Sequence, residues 1–291
     1  MKKVLLIDVD SKIPNLALMK ISAYHKSIGD TVGFNISDPD LVYASIVFTK
    51  NGWKGNGIKT MYPDSEVLIG GSGYSLNSTI PKEAEHLKPD YDLYPSEYSQ
   101  GFTTRGCIRN CHFCIVRDKE GYLSRYQHPK NFHDDRFDTI MIMDNNWLAD
   151  PDWFFDTSNW IIDHDLKVIE HGLDIRLVTE RIANHLLEMK IKKYHFAFDF
   201  PDLEPVIREK VELLRDVGIN LRTDTTFYVY CDSDQDYDNA LHRCNILRDL
   251  GTNAFLMWNC EAVKTNRIKR LIHWCNRKML YWSVPFNEYI S

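Results

Sequence analysis

From residue 100 onward the chain repeats one pattern: a short apolar run, then an amphipathic stretch, then another short run. Runs at 100–103, 139–143, 173–177, 194–198, 225–230 and 254–258 have the length and punctuation of strands. The stretches 151–164, 180–189, 203–217 and 236–250 between the later runs carry apolar residues at helical spacing, and 264–279 follows the sixth run. Gly218 and Gly251 stand where helix ends favour a residue that tolerates positive φ. Strands alternating with helices of this length call for a parallel sheet, because each helix returns the chain to the same end. Six such units predict an α/β fold with a partial (β/α)6 barrel, its functional groups at the carboxyl ends of the strands.

Residues 99–291 are therefore expected to form the barrel, and residues 1–98 a small Rossmann-like α/β unit with a linker. In that unit a strand at 4–9 leads into a helix at 15–28, with Leu16, Met19, Ile21 and Tyr24 on its apolar side. Further apolar runs follow at 32–34, 41–48 and 67–69. Residues 51–63, with three glycines, read as a loop, and 72–100, with Pro81, Pro89 and Pro95, as the linker. The turn Ile69-Gly70-Gly71-Ser72-Gly73 leads into no helical pattern, which argues against a phosphate cradle there.

No apolar run approaches the roughly 20 residues that span a bilayer, so no membrane association is expected. The first strand meets Asp8 too early for a signal-peptide core, which points to a reducing cytoplasm. Seven cysteines in such a compartment serve metals or catalysis better than disulfides. A net charge of −6 gives no global attraction for nucleic acid. The basic and aromatic tail 264–282 reads as the solvated face of a last helix, so nucleic acid is not favoured as a partner.

Three of the cysteines are clustered. Residues 101–121 read GFTTRGCIRNCHFCIVRDKEG, with Cys107, Cys111 and Cys114 in the pattern C-x3-C-x2-C, directly after the first barrel strand. Thiolates suit soft iron, and three of them on a four-iron cubane leave one iron open to bind a cofactor or substrate. The competing use is zinc, with His112 or a distant cysteine as fourth ligand, but no second C-x2-C knuckle is present. The polar surroundings, Arg105, Arg109, Asn110, Arg117 and Asp118, oppose inert buried thiols. The other four cysteines, Cys231, Cys244, Cys260 and Cys275, contain no close pair and read as buried single thiols rather than a second cluster.

With Phe113 before its last cysteine, the motif resembles the signature of the radical S-adenosylmethionine (radical SAM) superfamily. The cysteine loop after a first strand and the six βα units, over about residues 100–282, are similar to that family's TIM-barrel-like partial barrel. The resemblance implies an enzyme whose [4Fe–4S] cluster, on Cys107, Cys111 and Cys114, binds S-adenosylmethionine. A flavodoxin- or ferredoxin-like partner would supply the electron. Cleavage then gives methionine and a 5′-deoxyadenosyl radical, which abstracts hydrogen from a substrate that no motif specifies.

Further contacts follow only from the resemblance. Asp144 and Asn145 stand where many members have Gly-Gly-Glu, and resemble the Asp-Asn version of members with an N-terminal cobalamin-binding-like domain. Asp144 would face the amino group of S-adenosylmethionine, or else cap the following helix. Arg176 would pair with the methionine carboxylate, with Thr179 close by. Glu180 would reach the ribose or serve as a first-turn carboxylate, and Met257 would offer backbone groups to adenine. Asp199 and Thr225 stand where strands could meet substrate. The N-terminal unit looks like a reduced cobalamin-binding domain without the Asp-x-His-x-x-Gly motif, so cobalamin is not favoured. The alternative is a non-enzymatic iron–sulfur or zinc protein that binds nucleic acid or a partner protein.

Overall fold

The computed structural model describes residues 1–290. Its first sheet is parallel throughout, with β1 (Lys3–Asp8), β2 (Thr31–Gly33), β3 (Leu41–Ser45) and β4 (Glu66–Gly70) in the order β2-β1-β3-β4. Helix α1 (Leu16–Ser27) starts where the Asn15 side chain accepts the Leu18 N–H. Val4 and Leu6 pack towards Leu18 and Ile21 on one face, while Leu5, Val42 and Ala44 pack towards Ile58 on the other. Burial on both faces explains why these strands read as continuous apolar runs.

Ile58 belongs to α2 (Lys54–Met61), a helix where the glycine content predicts a loop. Tertiary packing overrides propensity here. Ile58 is buried, and Gly55 lets the helix approach Tyr74 so closely that a Cβ would lie 2.6 Å from the ring.

The second part begins with β5 (Ser99–Gly101), β6 (Thr104–Arg105), α3 (Val116–Glu120), β7 (Ser124–Arg125), β8 (Thr139–Ile142) and α4 (Pro151–Asp163). It continues through β9 (Lys167–Glu170), α5 (Glu180–Glu188), β10 (Lys190–Ile191), β11 (Tyr194–Ala197), α6 (Glu204–Asp216) and α7 (Leu221–Asp224). It ends with β12 (Thr225–Cys231), α8 (Tyr237–Asp249), β13 (Asn253–Trp258), α9 (Asn266–Cys275) and α10 (Lys278–Ser283). Two parallel sheets result, β10-β9-β8-β5 and β11-β12-β13. Only Lys192 and Lys193 separate β10 from β11, so the sheets follow one another as an arc of six strand positions with the fourth split. Across that seam the Leu173 N–H donates to the His195 carbonyl at 2.8 Å.

Burial alternates along β12: Phe227, Val229 and Cys231 lie under the helices, and Thr226, Tyr228 and Tyr230 face the concave side. No helix among the described residues is long and apolar enough to cross a membrane.

Two strand–helix expectations need correction. The third strand is β9, and residues 173–177 instead contain a 3-10 turn, Ile175–Leu177, opened by Asp174. Asp165 takes a left-handed φ of 57° and turns the chain from α4 straight into β9. That strand buries only Val168 and Glu170 fully, too little for an apolar run to register. Leu173, Ile175 and Val178 are apolar because the turn itself packs into the core.

The tail is two helices rather than one. At the break, Asn276 Oδ1 accepts the Leu256 N–H at 2.7 Å and its Nδ2 donates to the Leu256 carbonyl at 3.0 Å. A side chain thus takes the place of the next strand along the edge of β13. Asn276→Ala should lower stability by about 1–3 kcal/mol, since it strands the Leu256 groups. Urea unfolding measures this; a loss below about 0.5 kcal/mol would mean that water satisfies the edge equally well.

Candidate functional site

The chain leaving β5 is fastened by one carboxylate. Asp144, just past β8, accepts the backbone N–H and the hydroxyl of both Thr103 and Thr104. It is 3% exposed, and burial pushes its carboxyl up to about 6, against the four hydrogen bonds that favour the ionised form. Its lone pairs are therefore engaged by the chain itself, and the turn at Trp147–Ala149 is preceded by Asn146 rather than capped by Asp144.

Strands β6 and β7 pair antiparallel and close the base of the loop that carries the cysteines. Gly106 fits there at φ 75°, where a Cβ would lie 2.2 Å from the Tyr122 carbonyl. Glu120, at the end of α3, collects the Arg105 guanidinium at 2.9 Å, the Gly106 N–H at 3.0 Å and Asn145 Nδ2 at 2.8 Å. Asn145 thus anchors the cysteine loop to the end of β8. Arg117 donates to the Cys107 carbonyl at 3.1 Å.

Cys107, Cys111 and Cys114 are all free and partly exposed. The Cys107 sulfur accepts the Arg109 N–H at 3.3 Å. Burial pushes the Cys111 thiol up, and Cys114, Asp199 and Cys107 add to that while Arg176 opposes it. All four groups therefore lie within electrostatic reach of Cys111. Among the described residues no three His, Cys, Asp or Glu side chains converge at the spacing of ligands around a single metal ion. A four-iron cluster is wider than one ion, and three thiols grouped on one loop suit it better than zinc. His112, the nearest extra zinc ligand, lies with its ring edge-on to Phe113.

Beside the loop, Asp174 accepts Arg109 Nε at 2.9 Å and Arg176 Nε and Nη2 at 2.6 and 3.0 Å. These guanidiniums outweigh burial and hold the Asp174 carboxyl below its usual range. Asn146 lies next to it with Nδ2 3.5 Å from Asp174, and its buried Oδ1 has no hydrogen-bond partner. Phe113 stacks on Tyr230 with centroids 4.0 Å apart, and Tyr230 pairs in register with Met257, which is 46% exposed. Asp199 accepts the Tyr230 N–H at 2.9 Å, and Thr225 is fully buried.

The structure thus joins Phe113, Asn145, Arg176 and Met257 to the mouth around the three cysteines. Of the other three expected contacts, Asp144 is engaged by Thr103 and Thr104, Thr179 caps α5 by accepting the Ile182 N–H, and Glu180 opens that helix exposed. Glu120, Asn146 and Asp174 were not legible as site residues. Glu120 meets Arg105 across 15 positions and Asp174 meets Arg109 across 65, pairings that no local spacing announces. Of the other cysteines, Cys244 and Cys275 are not single thiols but a touching pair, with sulfurs 3.6 Å apart between α8 and α9.

The chain superposes on the structure of a radical S-adenosylmethionine methyltransferase, TsrM, from Kitasatospora setae, with cobalamin and a [4Fe–4S] cluster bound. The TM-score is 0.65 at 12% sequence identity, over 88% of this chain and 75% of that one. The chain shares the fold of that enzyme. No family model matches the sequence, and no curated protein matches it. At this identity the backbone arrangement is the shared property.

Asp144 carries a test of this mouth. It ionises near pH 6 when folded and near its ordinary value of 3.8 when unfolded. Between those values the folded state holds the extra proton, so the group's contribution to stability falls as pH rises from about 4 to 6 and is level above. The shift corresponds to about 3 kcal/mol. The stability difference between wild type and Asp144→Asn should tilt in that window; parallel curves would show a carboxylate ionised throughout.

Proposed function

We propose that this chain is a radical SAM enzyme, with a [4Fe–4S] cluster on Cys107, Cys111 and Cys114 and S-adenosylmethionine as its cofactor. The observation that carries the reading is the trio of free, partly exposed thiols on one loop at the mouth of the radical SAM fold. When bound, the reduced cluster supplies the electron that cleaves S-adenosylmethionine to a 5′-deoxyadenosyl radical for modification of a second substrate.

The chain's own residues bind, orient and shield. Arg176 pairs with the methionine carboxylate, its guanidinium oriented from behind by Asp174. The free Oδ1 of Asn146 accepts from the amino group, a role the engaged Asp144 does not fill. Asn145 holds the loop rather than the cofactor. Phe113 and Tyr230 exclude water, the backbone beside Met257 faces adenine, and Thr179 and Glu180 flank the ribose.

A small flavodoxin- or ferredoxin-like protein delivers the electron. Residues 1–98 form one unit and 99–291 the barrel. Cobalamin is left out of the cofactor set. The turn after β4 is packed on its own chain: a Cβ on Gly71 would lie 2.2 Å from the Ile46 carbonyl, and one on Gly73 2.4 Å from Phe48.

Anaerobic reconstitution should yield about four irons and four sulfides per chain, and reduction with S-adenosylmethionine should release 5′-deoxyadenosine. Replacing any of the three cysteines by alanine should abolish both. Arg176→Ala should keep the iron and weaken S-adenosylmethionine binding by about tenfold or more. Stoichiometric zinc with no cleavage would overturn the proposal.

A further inference from the structure

Below the mouth, the concave faces of β11, β12 and β13 carry groups that the cluster chemistry does not use. In register, His195 stands beside Thr226 and Thr226 beside Asn253; one step on, Ala197, Tyr228 and Phe255 form the next row. A cavity of about 330 Å³ opens there, lined by His195, Thr226, Tyr228, Asn253, Phe255 and Lys278, among others. The rings of His195 and Tyr228 are nearly parallel, 12° apart with centroids at 5.7 Å, and Phe255 meets Tyr228 edge-on. Phe255 remains 41% exposed, an aromatic wall without a cover.

Behind His195 sits Glu170, the last residue of β9 and only 2% exposed. One carboxylate oxygen, Oε1, accepts both the His195 backbone N–H at 2.6 Å and ring Nδ1 at 3.0 Å. The other, Oε2, is buried without a hydrogen-bond partner. With Glu170 ionised, this contact puts the ring proton on Nδ1 and leaves the Nε2 lone pair free. A purely structural clamp across the β9–β11 seam would need the backbone bond alone. The ring bond is additional, and it gives the carboxylate–imidazole arrangement that orients a general base.

We propose that His195, oriented by Glu170, is an acid–base residue of this barrel and takes a proton through Nε2 from a small planar aromatic acid bound in the cavity. The inference rests on the radical SAM reading for the concave side being the substrate side, and it names the substrate class. In the step, a substrate N–H or O–H bond breaks, its electron pair stays on the substrate, and an N–H bond forms at Nε2. The imidazolium lies against Glu170, and nothing is oxidised or reduced. The flat face of His195 and Tyr228 and the edge of Phe255 select a planar ring. The volume, at the low end for ligand pockets, admits one or two rings. Lys278 at the margin selects an anionic substituent. It lies within electrostatic reach of Lys193, with Asp224 as the one carboxylate opposing the two ammonium groups, and burial lowers it only to about 8, so it is charged at neutral pH.

The test uses the full cluster-loaded chain with ¹⁵N-labelled histidine, benzoate as the probe and cyclohexanecarboxylate as its non-planar control. His195 should carry its proton on Nδ1, and benzoate but not the control should shift its Nε2 signal. Lys278→Ala should weaken benzoate by about tenfold. Glu170→Ala, which removes the acceptor, should populate the Nε2–H form. His195→Gln keeps size and a donor towards Glu170, and it should also weaken benzoate. A proton on Nε2 in the wild type, equal binding of both acids, or benzoate binding unchanged in both His195→Gln and Lys278→Ala would each overturn the inference. These readouts do not need S-adenosylmethionine cleavage, so their failure with cleavage intact sinks this inference alone. Loss of cleavage with them intact sinks only the parent reading.

Discussion

The grip of Asp144 on Thr103 and Thr104 is the constraint on which the mouth of the barrel depends. A carboxylate in an apolar setting is costly unless its lone pairs are filled, and here four donors from two consecutive residues fill them. Because those residues directly follow β5, the grip fixes the direction in which the cysteine loop departs. Glu120 then fixes where the loop returns, through Arg105, Gly106 and Asn145. The three thiols sit between these two anchors, so their position is set by oxygen chemistry outside the motif.

What the sequence discloses is what short-range physics writes into it. Alternating apolar runs and amphipathic stretches were legible as strands and helices, with α1 and α5 starting within one residue of the expected positions. The cysteine spacing was legible because its three thiols are close in the chain. The rest is decided over long range. The helix α2 exists because Ile58 has a sheet face to cover; the third strand hid because four residues with two buried side chains leave no periodic trace. The tail breaks at Asn276 because β13 lacks a neighbour, a fact about topology and not about local composition. Asp174 makes the same point for the site: folding brings Arg109 to it from 65 positions away.

The N-terminal sheet is stitched to the barrel through polar contacts. Lys20, on α1, is 3% exposed and donates to the Glu85 carbonyl and to Tyr126, with its ammonium brought down to about 8 by burial. Gln100, inside β5, donates to the Pro14 carbonyl at 2.7 Å. Lys119, on the helix after the cysteines, reaches Ser72 beyond β4 at 2.6 Å. The loops at the carboxyl end of the first sheet therefore touch the helix that follows the thiol loop.

A closed barrel has its width dictated by strand number and stagger. This one is an arc, seamed at Lys192 and Lys193 and finished along β13 by an amide side chain. Its curvature is accordingly a free parameter, governed by how β11 meets β9 and how far the last strand stands off. Residues remote from any sulfur can therefore enlarge or narrow the interior without disturbing the thiol loop. Evolution can retune the guest while leaving the engine in place.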